Sequence, residues 1–199
     1  METIDAYLAR LASNAPAPGG GSAAALVAGT AAALVAMVGR ILNAPLDEII
    51  ASADTLRAKL SEGQRRDENA FAAVVSAQAL PKRTDAEKAT RRRELEAALA
   101  QAAEEPLRAA ALELEVLKLT VRLLEFSSAA LASDVGCAAE FAYAALAASA
   151  YNVRVNHRYM HDAETIAAQE KRLSSLEAEA QSALGGVRDA VAQRLRRER

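Results

Sequence analysis

Apolar residues recur three and four positions apart along most of this 199-residue chain, and no segment alternates apolar with polar between turn residues. That period predicts helices throughout. Thr3 caps a short first helix with Leu8 and Leu11 inward, ending near Asn14. From Ala23 to Gly39 there is no charge, and Ser22 is placed to cap a buried helix whose Ala25, Gly29 and Ala33 repeat every four residues. Asn43, Ala44 and Pro45 break the chain. A long helix then opens at Pro45 or Leu46, with Asp47 and Glu48 in its first turn as the helix dipole favours. Its inward row is Ile49, Ala53, Leu56, Leu60, Gly63, Asp67, Phe71 and Val74, and it stops before Pro81.

Thr84, Asp85 and Glu87 mark the next start, and Pro106 suits the first position of a further helix. There Leu107, Ala110, Leu114, Leu117, Val121 and Leu124 form one row, while Leu112, Val116, Leu119 and Leu123 carry apolar character to another side. Such a helix is sandwiched between others or buried in a subunit interface. Ser133 is the expected cap of a helix running through Val135, Ala138, Ala142, Ala145, Ser149, Asn152 and Asn156. From Asp162 onward Ile166, Leu173, Leu176 and Ala180 make an amphipathic helix, broken at Gly185 and Gly186 before a last segment with Val187, Val191 and Leu195. Its end is basic at Arg194, Arg196, Arg197 and Arg199.

Composition sharpens this into a fold class. Hydrophobic residues make up 52% of the chain but aromatics only 4%, with no Trp, so Ala, Leu and Val must fill the core. Small side chains fill space only where backbones approach closely. The expectation is therefore an all-α, tightly packed, Ala-rich bundle of seven or eight helices, a single domain over residues 1–199. A net charge of -2 gives no footprint for nucleic acid. The uncharged run from Ala23 is slightly short for a membrane span and rich in Ala, Gly and Thr, so a buried central helix is the reading and no membrane is expected. The lone Cys137 allows no intrachain disulfide, and Met1 to Arg10 has no basic segment leading into an apolar run, both of which fit a cytoplasmic protein.

Candidate chemistry lies at three places. Pro16-Ala17-Pro18 leads into Gly19, Gly20, Gly21 and Ser22, where missing Cβ atoms and free helix-start N–H groups make a seat for a polar or anionic group, or else a plain turn. Asp67 falls in an apolar row beside Gly63, which points to a pocket or to a buried ion pair. Asn152 and Asn156, one turn apart, present amides on one face to a heterocycle, or tie helices together. Asp134 sits at the expected start of their helix, where ionisation is favoured. The Arg91-Arg92-Arg93 triplet reads as a solvated face, since Glu94 and Glu96 follow. His157, His161 and Asp162 lack a matched further ligand, so no metal is expected.

Three stretches carry a family resemblance: Pro16 to Ala25; Asp67 to Lys82, with Asp-Glu-Asn-Ala-Phe leading to Leu-Pro-Lys; and Ser133 to Asn156, with Ser-Asp-Val-Gly leading to Asn-Val-Arg-Val-Asn. In order and spacing the chain resembles the cyclodeaminase/cyclohydrolase family. The resemblance implies a helical, dimer-forming enzyme acting on the one-carbon unit of tetrahydrofolate, with no cofactor beyond that carrier. The alternative is a non-catalytic folate-binding or scaffold relative. By the same resemblance Asp67 and Lys82 would serve as acid and base with Asp134 assisting, and Gly19, Gly20, Gly21, Ser22, Asn152 and Asn156 would contact substrate. Family members often carry Gly and Asn shortly before the Ser-Asp pair, whereas this chain has Ser127, Ser128, Ala129 and Ala130.

Overall fold

The computed structural model describes residues 2–42 and 44–196. Asn43, part of the expected break, and Arg197 and Arg199 of the basic end lie outside the described residues, as does Met1. Among the described residues are six helices and no strand: α1 (Ile4–Leu11), α2 (Gly20–Ile41), α3 (Asp47–Gln78), α4 (Asp85–Leu124), α5 (Ala129–His157) and α6 (Ala163–Leu195). The all-α class is as expected, but the count is lower than seven or eight because two expected breaks are absent.

The first is Pro106, which lies inside α4 rather than at a helix start. A proline in mid-helix has no N–H for the carbonyl four residues earlier. Here that carbonyl belongs to Ala102, and it accepts a hydrogen bond from the Asn156 side chain instead, at 3.0 Å. The second is Gly185-Gly186, which costs roughly 1 kcal/mol per glycine in helix propensity. Leu184 and Val187, both buried beside them, hold α6 straight through.

Two expected caps also move. Helix α2 starts at Gly20 with Gly19 as its uncapped N-cap, so Ser22 lies inside the first turn instead of before it. Helix α5 starts at Ala129 after Ser128, four residues ahead of Ser133. Other ends agree with the sequence. Thr3 caps α1 through the Ala6 N–H at 3.2 Å, Thr84 and Glu87 form a capping box on α4, and Asp162 caps α6 through Glu164 and Thr165.

Helix α2 packs against α3, α5 and, less extensively, α4. Its buried face runs through Ala24, Ala28, Ala31, Ala32, Val35 and Ala36. Of the Ala25-Gly29-Ala33 repeat only Ala25 is enclosed as expected: Ala33 is exposed and nothing would meet a Cβ on Gly29 within 4 Å. At Gly39 the approach is close, since a Cβ there would come within 2.8 Å of Ile50 Cγ1 on α3. Both α2 and α5 are long and apolar enough to cross a membrane by length and composition, yet each buries a face against other helices of the bundle. The two apolar sides of α4 are covered within the chain by α3, α5, α6 and α2, which is the sandwiched alternative, except at Val121, which is exposed.

Candidate functional site

The start of α2 and the middle of α3 meet at Asp67. Its carboxylate lies so close to Gly21 that a Cβ there would stand 2.7 Å from Asp67 Cγ, nearer than real Cβ contacts come, so any side chain at this position would push the carboxylate out of its seat. Burial raises the Asp67 pKa above the ordinary carboxylate value, and the negative Glu68 and Glu105 add to the rise; the Ser22 backbone N–H, donating to the carboxylate, pulls the other way. No salt bridge reaches Asp67 among the described residues. It is a desolvated acid held by a helix start rather than half of an ion pair.

Around it the polar groups are tied together. Ser22 is fully buried, its Oγ 3.0 Å from the Tyr7 hydroxyl and 3.3 Å from Glu68 Oε1. Arg10 of α1 reaches Glu68 at 3.7 Å, and Gln64 donates to the Ser22 carbonyl at 3.3 Å. Arg66 and Gln101 both donate to Glu105, at 3.1 and 2.7 Å.

The facing wall comes from α5. Asn152 Nδ2 donates to the Ala148 carbonyl at 2.9 Å, and its amide abuts Gly20. Asn156 Nδ2 donates to Ala102 O and, at 2.8 Å, to Asn152 O. Between the walls is a cleft of about 290 Å³ lined by the loop from Pro16 to Gly21, by Asp67 and Glu68, by Asn152 and Asn156, and by apolar groups including Phe71, Val74 and Tyr159. Thus Gly19, Gly20, Gly21, Asp67, Asn152 and Asn156 come together, with Ser22 just behind them.

Lys82 and Asp134 are not in this cleft. Lys82 lines a neighbouring one of about 360 Å³ with Lys88, Arg91, Arg92, Glu96 and His161, and Tyr159 borders both. The arginine triplet therefore contributes two of its members to a concave basic surface. Asp134 lies on α5 18 positions before Asn152, about 27 Å along a helix rising 1.5 Å per residue. His157 pairs through Nε2 with Gln169 Oε1 at 2.9 Å, whereas His161 faces the basic cleft, and no group of three His, Cys, Asp or Glu suited to a metal occurs among the described residues.

With this geometry in hand, comparison with known proteins is specific. Residues 3–175 match the formiminotransferase-cyclodeaminase family model. The chain belongs to that family. A methenyltetrahydrofolate cyclohydrolase from Methylorubrum extorquens is 38% identical over 188 residues, covering 90% of each chain. Formimidoyltransferase-cyclodeaminase from Rattus norvegicus is 31% identical over 193 residues, 92% of this chain but 36% of the rat protein. The crystal structure of a formiminotetrahydrofolate cyclodeaminase from Thermotoga maritima shares the fold with a TM-score of 0.85 at 23% identity, covering 96% of both chains.

For a member of this family the cleft has a clear chemical character. It offers an acid whose pKa is displaced upward, a second carboxylate beside it, uncapped N–H groups at the α2 start, and a largely apolar rim that limits water. Glu68 and Tyr159 were not among the residues expected here. Glu68 follows Asp67 directly and so points about 100° away around α3, outside the inward row; Tyr159 falls just past the end of α5.

Proposed function

We propose that the protein is a folate one-carbon enzyme that makes or breaks the C–N bonds of the unit carried between N5 and N10 of tetrahydrofolate. The observation that carries this reading is Asp67, desolvated and seated on the α2 start, inside a chain that matches a cyclohydrolase over 90% of both lengths. That relative of equal length makes 5,10-methenyltetrahydrofolate the first substrate to try, with 5-formiminotetrahydrofolate second.

Both substrates centre on an amidinium-like carbon that is cationic when activated. A cleft walled by Asp67, Glu68 and two asparagine amides suits such a cation. In cyclohydrolysis water adds to the methenyl carbon and Asp67 accepts its proton. The tetrahedral carbon then releases one ring nitrogen, which takes that same proton, while the remaining hydroxyl proton leaves to solvent as the formyl C=O forms. In cyclodeamination N10 attacks the formimino carbon and the proton goes to departing ammonia. Each route needs one group that both takes and gives a proton, for which a raised carboxylate pKa is suited. No metal or redox cofactor enters either balance.

In this reading Lys82, with Arg91 and Arg92, takes the carboxylates of the folate tail rather than the reacting carbon; the support is that its cleft adjoins the polar one at Tyr159. Asp134 has no part in this cleft within one chain. The reading includes a cytoplasmic homodimer. Support for the pairing is the apolar surface left by the fold: Phe126, Phe141 and Leu195 are 47%, 39% and 56% exposed, and the last two border a groove between α5 and α6.

The test offers purified protein each substrate in turn, following methenyl absorbance against ammonia release. Turnover of either one supports the reading. Folate binding without turnover of either would leave a non-catalytic binder in its place.

A further inference from the structure

The proline in α4 decides what Asn156 shows to the cleft. Pro106 leaves the Ala102 carbonyl without its helical N–H partner, and Asn156 Nδ2 fills that place at 3.0 Å while its second hydrogen goes to Asn152 O at 2.8 Å. Both donors of the amide are spent on carbonyl oxygens. The reverse orientation would set Oδ1 against two other oxygens, so the network fixes which end is which. Asn152 is oriented in the same way, its Nδ2 donating to Ala148 O at 2.9 Å. Neither Oδ1 accepts a hydrogen bond from another described residue, and neither is a buried orphan, the one buried orphan among the described residues being Glu113 Oε2. Both carbonyl oxygens are therefore accessible, on residues that line the cleft.

This side of the cleft consequently offers two acceptor oxygens, one turn and about 6 Å apart along α5, beside the one Nδ2 hydrogen of Asn152 that Ala148 O does not take. A tetrahydropterin carries matching donors, its 2-amino group and N8–H, on the same side of the ring system, flanking N1. We propose that Asn152 and Asn156 are specificity-determining residues that read this N–H edge of the reduced pterin, with Pro106 as a positioning residue that sets the Asn156 amide. This rests on the folate reading above and adds to it the part of the substrate that α5 recognises. The apolar faces of Phe71 and Tyr159 bracket the ring, and the one-carbon unit is left toward Asp67.

The experiment compares binding of tetrahydrofolate and its 2-desamino analogue, by calorimetry under anaerobic conditions, to the full chain and to Asn152→Leu, Asn156→Leu and Pro106→Ala. Wild type should bind the analogue about 10- to 100-fold more weakly, the scale of one lost hydrogen bond that leaves a site acceptor unpaired. That gap should collapse toward unity in the asparagine variant that loses the 2-amino partner. It should shrink in Pro106→Ala, where a restored N–H competes for Ala102 O, while the thermal midpoint holds or rises. Equal binding of the two ligands by wild type overturns the proposal, a comparison that needs no variant to fold. A gap that survives in both asparagine variants overturns it too. Turnover of 5,10-methenyltetrahydrofolate, measured separately, tests the catalytic reading: ligand discrimination without turnover defeats that reading and leaves this one standing.

Discussion

Replacing Asp67 with Asn keeps the shape that fits against Gly21 and the acceptor for the Ser22 N–H, but removes the ability to exchange a proton. General acid or base work contributes about two to four orders of magnitude, so turnover should fall by roughly 10²- to 10⁴-fold. Stability should not fall with it. A desolvated carboxylate costs folding energy that a neutral amide does not, and no cation is paired with Asp67 among the described residues to be stranded. If Asp67 were instead half of a buried ion pair, the same change would cost about 3 to 5 kcal/mol, a drop of roughly 6 to 20 °C in melting midpoint for a chain this size. The assay is steady-state turnover with thermal unfolding on the one variant. The raised pKa adds a second readout: activity should rise along a limb lying above the ordinary carboxylate range, and that limb should vanish in Asp67→Asn. Near-normal specific activity beside a large loss of melting temperature would refute the reasoning.

Gly21→Ala should cost at least about tenfold in turnover, because the new Cβ displaces the Asp67 carboxylate by more than a positioned acid tolerates; unchanged kinetics would show that Asp67 does not act from this seat. Glu113 is wholly buried, bonded to Ser149 at 3.1 Å through one oxygen, and burial pushes its pKa from 4.5 to about 8. Between those values the unfolded chain releases a proton that the fold keeps, so stability falls as pH rises from about 4.5 to about 8, by roughly 3 kcal/mol at neutrality. Glu113→Gln should flatten that slope in melting midpoint, and a slope equal to wild type would place the effect elsewhere. Chelator should leave turnover unchanged, whereas activity lost to chelation and restored by zinc would bring His157 and His161 forward. Sedimentation at micromolar concentration should show a dimer, and a stable folded monomer would count against it.

The bundle was legible in the sequence wherever the local period and the tertiary environment agreed. Thr3, Thr84 and Asp162 cap helices in the structure because a short polar side chain satisfies the first free N–H groups whatever the rest of the fold does. The α3 row placed Asp67 inward correctly for a similar reason: a helix apolar on one face has one way to bury it. Glu113 was legible in principle and passed over. It falls within the apolar stretch from Leu112 to Leu117, off the polar side that Arg108, Glu115 and Arg122 give α4, and so faces inward.

What local reasoning missed were sites where another helix supplies what the backbone lacks. Pro106 breaks an isolated helix because an orphaned carbonyl and a ring clash together cost about 3 kcal/mol. Here the orphan is met by Asn156 from 54 residues away, so no window short enough to define a helix contains both halves of the arrangement. Ser22 was misread in the same sense: its hydroxyl looked free to cap α2, but Tyr7 and Glu68 hold it from two other helices. In both cases the side chain that departs from its local role lies in or directly behind the cleft. That is expected where function and fold compete for the same residue: a polar group spent on a neighbouring helix is fixed in orientation, and a fixed donor or acceptor is what a binding site needs. The misplaced break at Pro106 and the exposed oxygen of Asn156 are therefore one feature seen from two sides.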